Sequence, residues 1–154
     1  MRFAIVVLAA MAAFLGPNFV RASWQDDAAM MSETSSEPRL VAAMFRSSWC
    51  GACRILEPRI EDVREELGES ADVDWVRFNF TWGQRDGVRD LAVEEGIEEV
   101  YDQFAGGTGF LVLMDRETGQ VFEIVTMQYG RDEIREAVER WMLVVDRIEA
   151  GEEV

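Results

Sequence analysis

The only two cysteines of the chain, Cys50 and Cys53, stand at the junction of two segments with different periodicities. Ahead of them, Leu40-Val41-Ala42-Ala43-Met44-Phe45 is an unbroken apolar run, the pattern of a strand covered on both faces. Behind them, Leu56, Ile60, Val63 and Leu67 recur at helical spacing while Glu57, Glu61, Asp62 and Arg64 take the other faces. An amphipathic helix is therefore expected from Cys50 to Gly68. Pro58 falls inside it and removes a backbone donor, which predicts a kink.

The rest of the chain reads as one domain. Val73 to Phe80 alternates as a strand, with Val76, Phe78 and Phe80 on one face. Thr81 to Gly107 carries two apolar stripes, Val88-Leu91-Ala92 and Ile97-Val100-Tyr101-Phe104, separated by Gly96, which predicts a broken helix. Phe110 to Met114 and Gln120 to Met127 are expected strands, joined by a hairpin-length connection with Gly119 near its end. A last helix from about Asp132 presents Ile134, Val138, Trp141, Val145 and Ile148 on one face. The element order is β-α-β-α-β-β-α, an α/β domain over residues 40–154.

Trp49-Cys50-Gly51-Ala52-Cys53 after a buried strand, with a proline five residues beyond the second cysteine, resembles the active-site segment of the thioredoxin-like family. Arg77-Phe78-Asn79 is similar to the family's basic-apolar-Asn stretch, and Phe110 to Thr126 to its closing hairpin. The resemblance covers roughly Leu40 to Ile148, apart from about ten extra residues between Trp82 and Phe104. It implies a three-layer sandwich with a central mixed sheet flanked by helices. It also implies a thiol-disulfide oxidoreductase without a cofactor, acting on disulfide-containing proteins or a redox partner protein. The active-site loop residues would be Trp49, Gly51, Ala52 and Thr108 with the two cysteines, Trp49 shielding the disulfide from one side.

The chemistry of the position agrees with that expectation. A cysteine at a helix N-terminus faces unpaired backbone N–H groups and the positive end of the helix dipole, both of which favour thiolate. Cys50 is accordingly the expected nucleophile. Cys53, one turn on, is the expected resolving cysteine, placed to attack a mixed disulfide and release the substrate. Two other readings remain. As a permanent staple, so short a loop contributes only about 2 kcal/mol. As a metal site, two thiolates fill half of a tetrahedral shell and the chain has no histidine to complete it, so a binding module would need a dimer sharing four cysteines. A partner-docking module without turnover is the corresponding reading of the scaffold, since fold does not fix function.

Two departures from the family pattern bear on mechanism. The family's cis-proline opposite the cysteines aligns with Thr108, where a cis bond would cost about 2.5–4 kcal/mol and a trans bond is expected. The buried aspartate six residues before the first cysteine is replaced by Met44. Without that carboxylate or any imidazole, deprotonation of Cys53 would fall to water or to Glu57 or Arg77 through solvent, and slow resolution is expected. Arg46 and Arg54 flank the motif and, with Arg77, are candidates for lowering the Cys50 pKa; solvated surface charge is the competing account.

Met1-Arg2, the apolar run Phe3 to Leu15, Gly16-Pro17 and Val20-Arg21-Ala22 read as a signal peptide over residues 1–22, cleaved after Ala22. The run is shorter than the roughly 20 residues a spanning helix needs, so no stable membrane anchor is expected. Ser23 to Arg39 reads as a linker or loose helix. An exported protein follows, with the bacterial periplasm as the expected compartment. The chain has no lysine and carries a net charge of −15, which argues against nucleic acid or anionic lipid as a partner. The oligomeric state is left open.

Overall fold

The computed structural model describes residues 37–69 and 71–151. The expected signal peptide, and residues 23–36 of the expected linker, lie outside the described residues. Strand β1 (Leu40–Arg46) leads through Ser47-Ser48-Trp49-Cys50 into helix α1 (Gly51–Leu67), and β2 (Val73–Asn79) returns beside β1. Two short helices follow, α2 (Val88–Glu94) and α3 (Glu98–Phe104). A hairpin of β3 (Phe110–Asp115) and β4 (Val121–Thr126) and a long helix α4 (Arg131–Glu149) complete the order. The broken helix comes out as α2 and α3, parted at Gly96. Pro58 lies within α1, and Gly68 caps its end.

The sheet runs β2-β1-β3-β4. β1 pairs parallel with β2, placing Met44 beside Arg77, and antiparallel with β3, placing Phe45 beside Phe110. β3 and β4 are antiparallel, with an irregularity at Leu113/Met114. The three layers follow from the parity of β1. Leu40, Ala42 and Met44 face one core with Leu56, Ile60 and Val63 of α1 and Ile134, Val138 and Val145 of α4. Val41, Ala43 and Phe45 face the other with Val88 and Ala92 of α2 and Val100 and Tyr101 of α3. An unbroken apolar run is what such a strand requires, because neither of its faces meets water.

The second core is largely aromatic. Phe45 lies 5.0 Å, ring centroid to centroid, from Phe78 and 5.1 Å from Phe110, with Phe104 at 5.9 Å. Offset and tilted rings at these spacings add attraction beyond their buried area.

Contacts reach back before Leu40. Arg39 makes a bidentate pair with Asp115, Nε to Oδ1 and Nη2 to Oδ2 both at 2.8 Å, and the Arg116 N–H donates to the Arg39 carbonyl. Burial pushes the Asp115 carboxyl up, but hydrogen bonds from Arg39, from the Thr118 hydroxyl and from the Glu117 N–H outweigh it and hold it below the usual aspartate range. The end of β3 is thereby tied to the entry of β1. Among the described residues no helix is long and apolar enough to cross a membrane.

Candidate functional site at the start of helix α1

The carboxyl end of β1 delivers the chain into a tight approach to α1, in which the Cys50 N–H donates to the Ser47 carbonyl at 3.3 Å. Cys50 is the N-cap of α1, with extended backbone (φ −74°, ψ 112°), and its Sγ accepts from the Cys53 N–H at 3.1 Å. The sulfur thus occupies the place where a serine or aspartate oxygen commonly caps a helix, and it takes up one of the orphan N–H groups there. Cys50 and Cys53 are joined by a disulfide, their Cα atoms 5.3 Å apart. The two cysteines differ in exposure: Cys50 is 9% exposed and Cys53 1%.

Around this pair the structure gathers most of the residues singled out from the sequence. Trp49 stands beside the disulfide with 54% of its surface exposed. Gly51 is open to solvent and Ala52 half-buried on the first turn of α1. Arg46, at the end of β1, is ion-paired with Glu57 one turn beyond Cys53. Arg54 is exposed and reaches back to the Ser48 carbonyl at 3.5 Å. Arg77 is further off, on β2, where it is paired with Glu61 at 3.4 Å. Met44, 4% exposed, sits in the core cluster that holds both cysteines. It also lines a cavity of about 170 Å³ between α1 and β2, whose wall includes Glu57, Glu61, Arg64 and Arg77. The charged groups named for proton traffic to Cys53 therefore share one cavity with Met44.

Thr108 precedes β3 and is half-buried, and no peptide bond among the described residues is cis. Its neighbour, Gly109, runs close to the sulfur. Its N–H donates to the Phe45 carbonyl at 2.8 Å, and its φ is +99°. A Cβ built on Gly109 would lie 2.9 Å from the Ala52 Cβ and 3.2 Å from the Cys50 Sγ. Only a residue without a side chain fits between β1 and the first turn of α1 there. The glycine-rich stretch Ala105 to Gly109 carried that signal, but nothing local in it distinguishes one glycine from the next.

Two further residues of the site had no local signature. The Ser47 hydroxyl is buried with no hydrogen-bond partner in the structure, one residue after β1 ends. Trp82 is 79% exposed and stands edge-on to Trp49, ring centroids 6.0 Å apart. Its loop is fastened to the cysteine loop by the Ser48 N–H donating to the Thr81 Oγ1 at 2.9 Å, and by the Phe80 N–H donating to the Arg46 carbonyl at 2.8 Å. Among the described residues no cluster of three or more cysteine, aspartate or glutamate side chains is placed to hold a metal ion. The arrangement offers a helix-capping sulfur on the more exposed cysteine, a second sulfur on a buried one, and Trp49 and Gly109 close by.

No protein-family model matches the chain. It is 40% identical over 47 residues to a thioredoxin of Listeria monocytogenes, a stretch that is 30% of this chain and 44% of that protein. It is 34% identical over 47 residues to a thioredoxin-like protein of Synechocystis, covering 30% of this chain and 43% of that one. The matched stretch spans less than half the length of these curated relatives. Among solved structures, the thioredoxin of Fasciola hepatica superposes with a TM-score of 0.41 at 20% identity, covering 68% of this chain and 82% of that one. The mixed sheet clad on both faces by helices, with the Cys50-Cys53 pair opening α1, has the thioredoxin-like architecture, and over 47 residues the sequence is similar to thioredoxins.

Proposed function

We propose that this protein is an exported thiol-disulfide oxidoreductase that exchanges or reduces disulfides of protein substrates through the Cys50-Cys53 couple. The observation that carries the reading is the position of the Cys50 sulfur. It caps α1, accepts an N–H from the first turn and belongs to the more exposed of the two cysteines. A thiolate there is stabilised by the same donor and by the helix dipole.

In the reducing direction the Cys50 thiolate attacks one sulfur of a substrate disulfide. A Cys50-substrate disulfide forms, and the other substrate sulfur leaves as a thiolate that takes a proton. The Cys53 thiolate then attacks the Cys50 sulfur, releasing the second substrate thiol and restoring the Cys50-Cys53 bond. Two electrons and two protons pass to the substrate, and a dithiol donor recharges the pair; the oxidising direction is the reverse. Trp49, Gly51, Ala52 and Thr108 frame the path to the sulfur. Of the arginines that could favour the thiolate, Arg46 and Arg54 flank the motif, with Arg46 paired to Glu57, and Arg77 lies on β2 paired to Glu61. Export rests on the signal-like sequence Met1 to Ala22.

The reduction potential of the pair tests this reading. Equilibration with glutathione or dithiothreitol buffers, with free thiols trapped, should reveal a reversible couple between about −120 and −270 mV. A potential below about −300 mV would identify a structural staple and overturn the proposal. So would thiols held reduced by a bound metal.

A further inference from the structure

Trp82 lies in the segment that is extra relative to the thioredoxin pattern, and its setting is unusual for a residue of its type. Tryptophan is usually well buried, yet this one is 79% exposed at the tip of a four-residue turn. The turn is closed by the Gln84 N–H donating to the Thr81 carbonyl at 2.9 Å, with Gly83 at φ +77° in its third position, as a type II turn requires. Its base is braced: the Asn79 Oδ1 accepts from the Thr81 hydroxyl at 2.7 Å and from the Thr81 N–H at 3.2 Å, and the Thr81 Oγ1 in turn accepts from Ser48. The turn that carries the exposed ring is therefore fastened to the cysteine loop, with the ring edge-on to Trp49.

Resting on the exchange chemistry proposed above, we infer that Trp82 and Trp49 form a docking surface for the polypeptide segment around the substrate cysteine, and that Trp82 selects segments carrying an apolar side chain next to that cysteine. The patch is continuous with the reactive sulfur, since Trp49 immediately precedes Cys50. A segment that reaches Cys50 over Trp49 meets the Trp82 ring as well, since the two ring centroids are 6.0 Å apart. Two indole faces gain most from apolar and aromatic side chains, and a pre-positioned ring loses little entropy on binding. The net charge of −15 disfavours acidic segments and a second copy of this chain as occupants.

The test uses the reduced protein and two disulfide-linked peptides of equal net charge, one with leucine or phenylalanine beside the cysteine and one with serine there. Second-order rate constants should favour the apolar peptide by about tenfold or more, the size of effect that an apolar pocket contact provides. In Trp82→Ser the ratio should collapse towards one while the reduction potential and the unfolding midpoint stay unchanged, and Trp82→Phe should keep most of the preference. A ratio that survives Trp82→Ser would overturn the inference, as would equal losses with both peptides. Trp82-dependent dimerisation in sedimentation, or Trp82-dependent binding to phosphatidylcholine vesicles, would assign the patch to another occupant and overturn it too. A dithiol that neither peptide oxidises would instead sink the exchange reading on which the inference stands.

Discussion

Replacing Gly109 by alanine should be among the most damaging one-carbon changes available to this protein. At φ +99° an alanine backbone is strained by about 1–3 kcal/mol. The added Cβ would also fall 2.9 Å from the Ala52 Cβ and 3.2 Å from the Cys50 Sγ, where ordinary contacts lie at about 3.5–4.0 Å. Neither neighbour can swing aside: Ala52 is fixed by the first turn of α1, and Cys50 caps that helix. Strand β3 or the helix start must shift, at a further cost of about 1–3 kcal/mol for overpacking. The combined loss is about 2–6 kcal/mol, which at a urea m-value of about 2 kcal/mol/M lowers the midpoint by about 1–3 M. The assay is urea unfolding of the oxidised protein followed by far-ultraviolet circular dichroism. Gly51→Ala is the control, because a Cβ there meets nothing within 4 Å. A gain of about 0.4–1 kcal/mol is expected for it, from reduced freedom of the unfolded chain. A Gly109→Ala loss under about 1 kcal/mol, or an equal loss in Gly51→Ala, would refute the close-approach argument.

Three further outcomes are expected. Cys53→Ser, in reduced form, should accumulate a substrate adduct on Cys50 visible by intact mass, whereas Cys50→Ser should form none; adducts in both variants, or in neither, would contradict the assigned roles. Met44→Asp should speed release of the mixed disulfide while lowering stability, since it buries a carboxyl where a thioether now packs; an unchanged release rate in a rapid-chase experiment would show that slow proton removal does not limit resolution. In acid, Asp115 and Glu123 should dominate the loss of stability. For Glu123, burial raises the pKa, but donors from Trp141, Arg140 and Tyr129 outweigh it and lower the pKa, as happens at Asp115. A folded pKa below the unfolded one gives stability that is complete above the unfolded value and is lost as pH falls through the folded one, so unfolding midpoints should drop below about pH 4. Asp115→Asn should flatten that pH dependence, and an unaltered slope would count against the Arg39-Asp115 pair as its source.

The sequence made the scaffold legible because its signals are local. Leu40 to Phe45 read as a strand covered on both faces, and Leu56, Ile60 and Val63 as one side of a helix; the structure packs that helix face with Leu40, Ala42 and Met44 and gives Val41, Ala43 and Phe45 to the other core. Gly96 parted two stripes that became α2 and α3. The cysteine pair was placed by the same means, since the change of period marks where the helix begins. What escaped was set by contacts between distant segments. Gly109, beside the Thr108 singled out by alignment, comes close to the sulfur because its hydrogen bond to Phe45 fixes how β3 enters the sheet. Trp82 faces Trp49 across 33 residues, through a Thr81-Ser48 hydrogen bond that no periodicity announces. The Arg46-Glu57 pair joins a strand end to the second turn of a helix, a distance along the chain at which charge pattern says little.

The parity of β1 also limits how such a chain can change length. Inserting or deleting one residue between Leu40 and Phe45 would exchange the two sets of side chains, pressing Phe45 against α1 and α4 and thrusting Met44 among the aromatic rings, while displacing Cys50 by about 3.3 Å along the strand. The location of the reactive sulfur is thus inherited from the packing of two cores at once, and it cannot drift independently of either. Growth is tolerated only where neither core is counting residues. The turn that carries Trp82, lying after β2 and before α2, is such a place: residues added there arrive within reach of the sulfur without moving it.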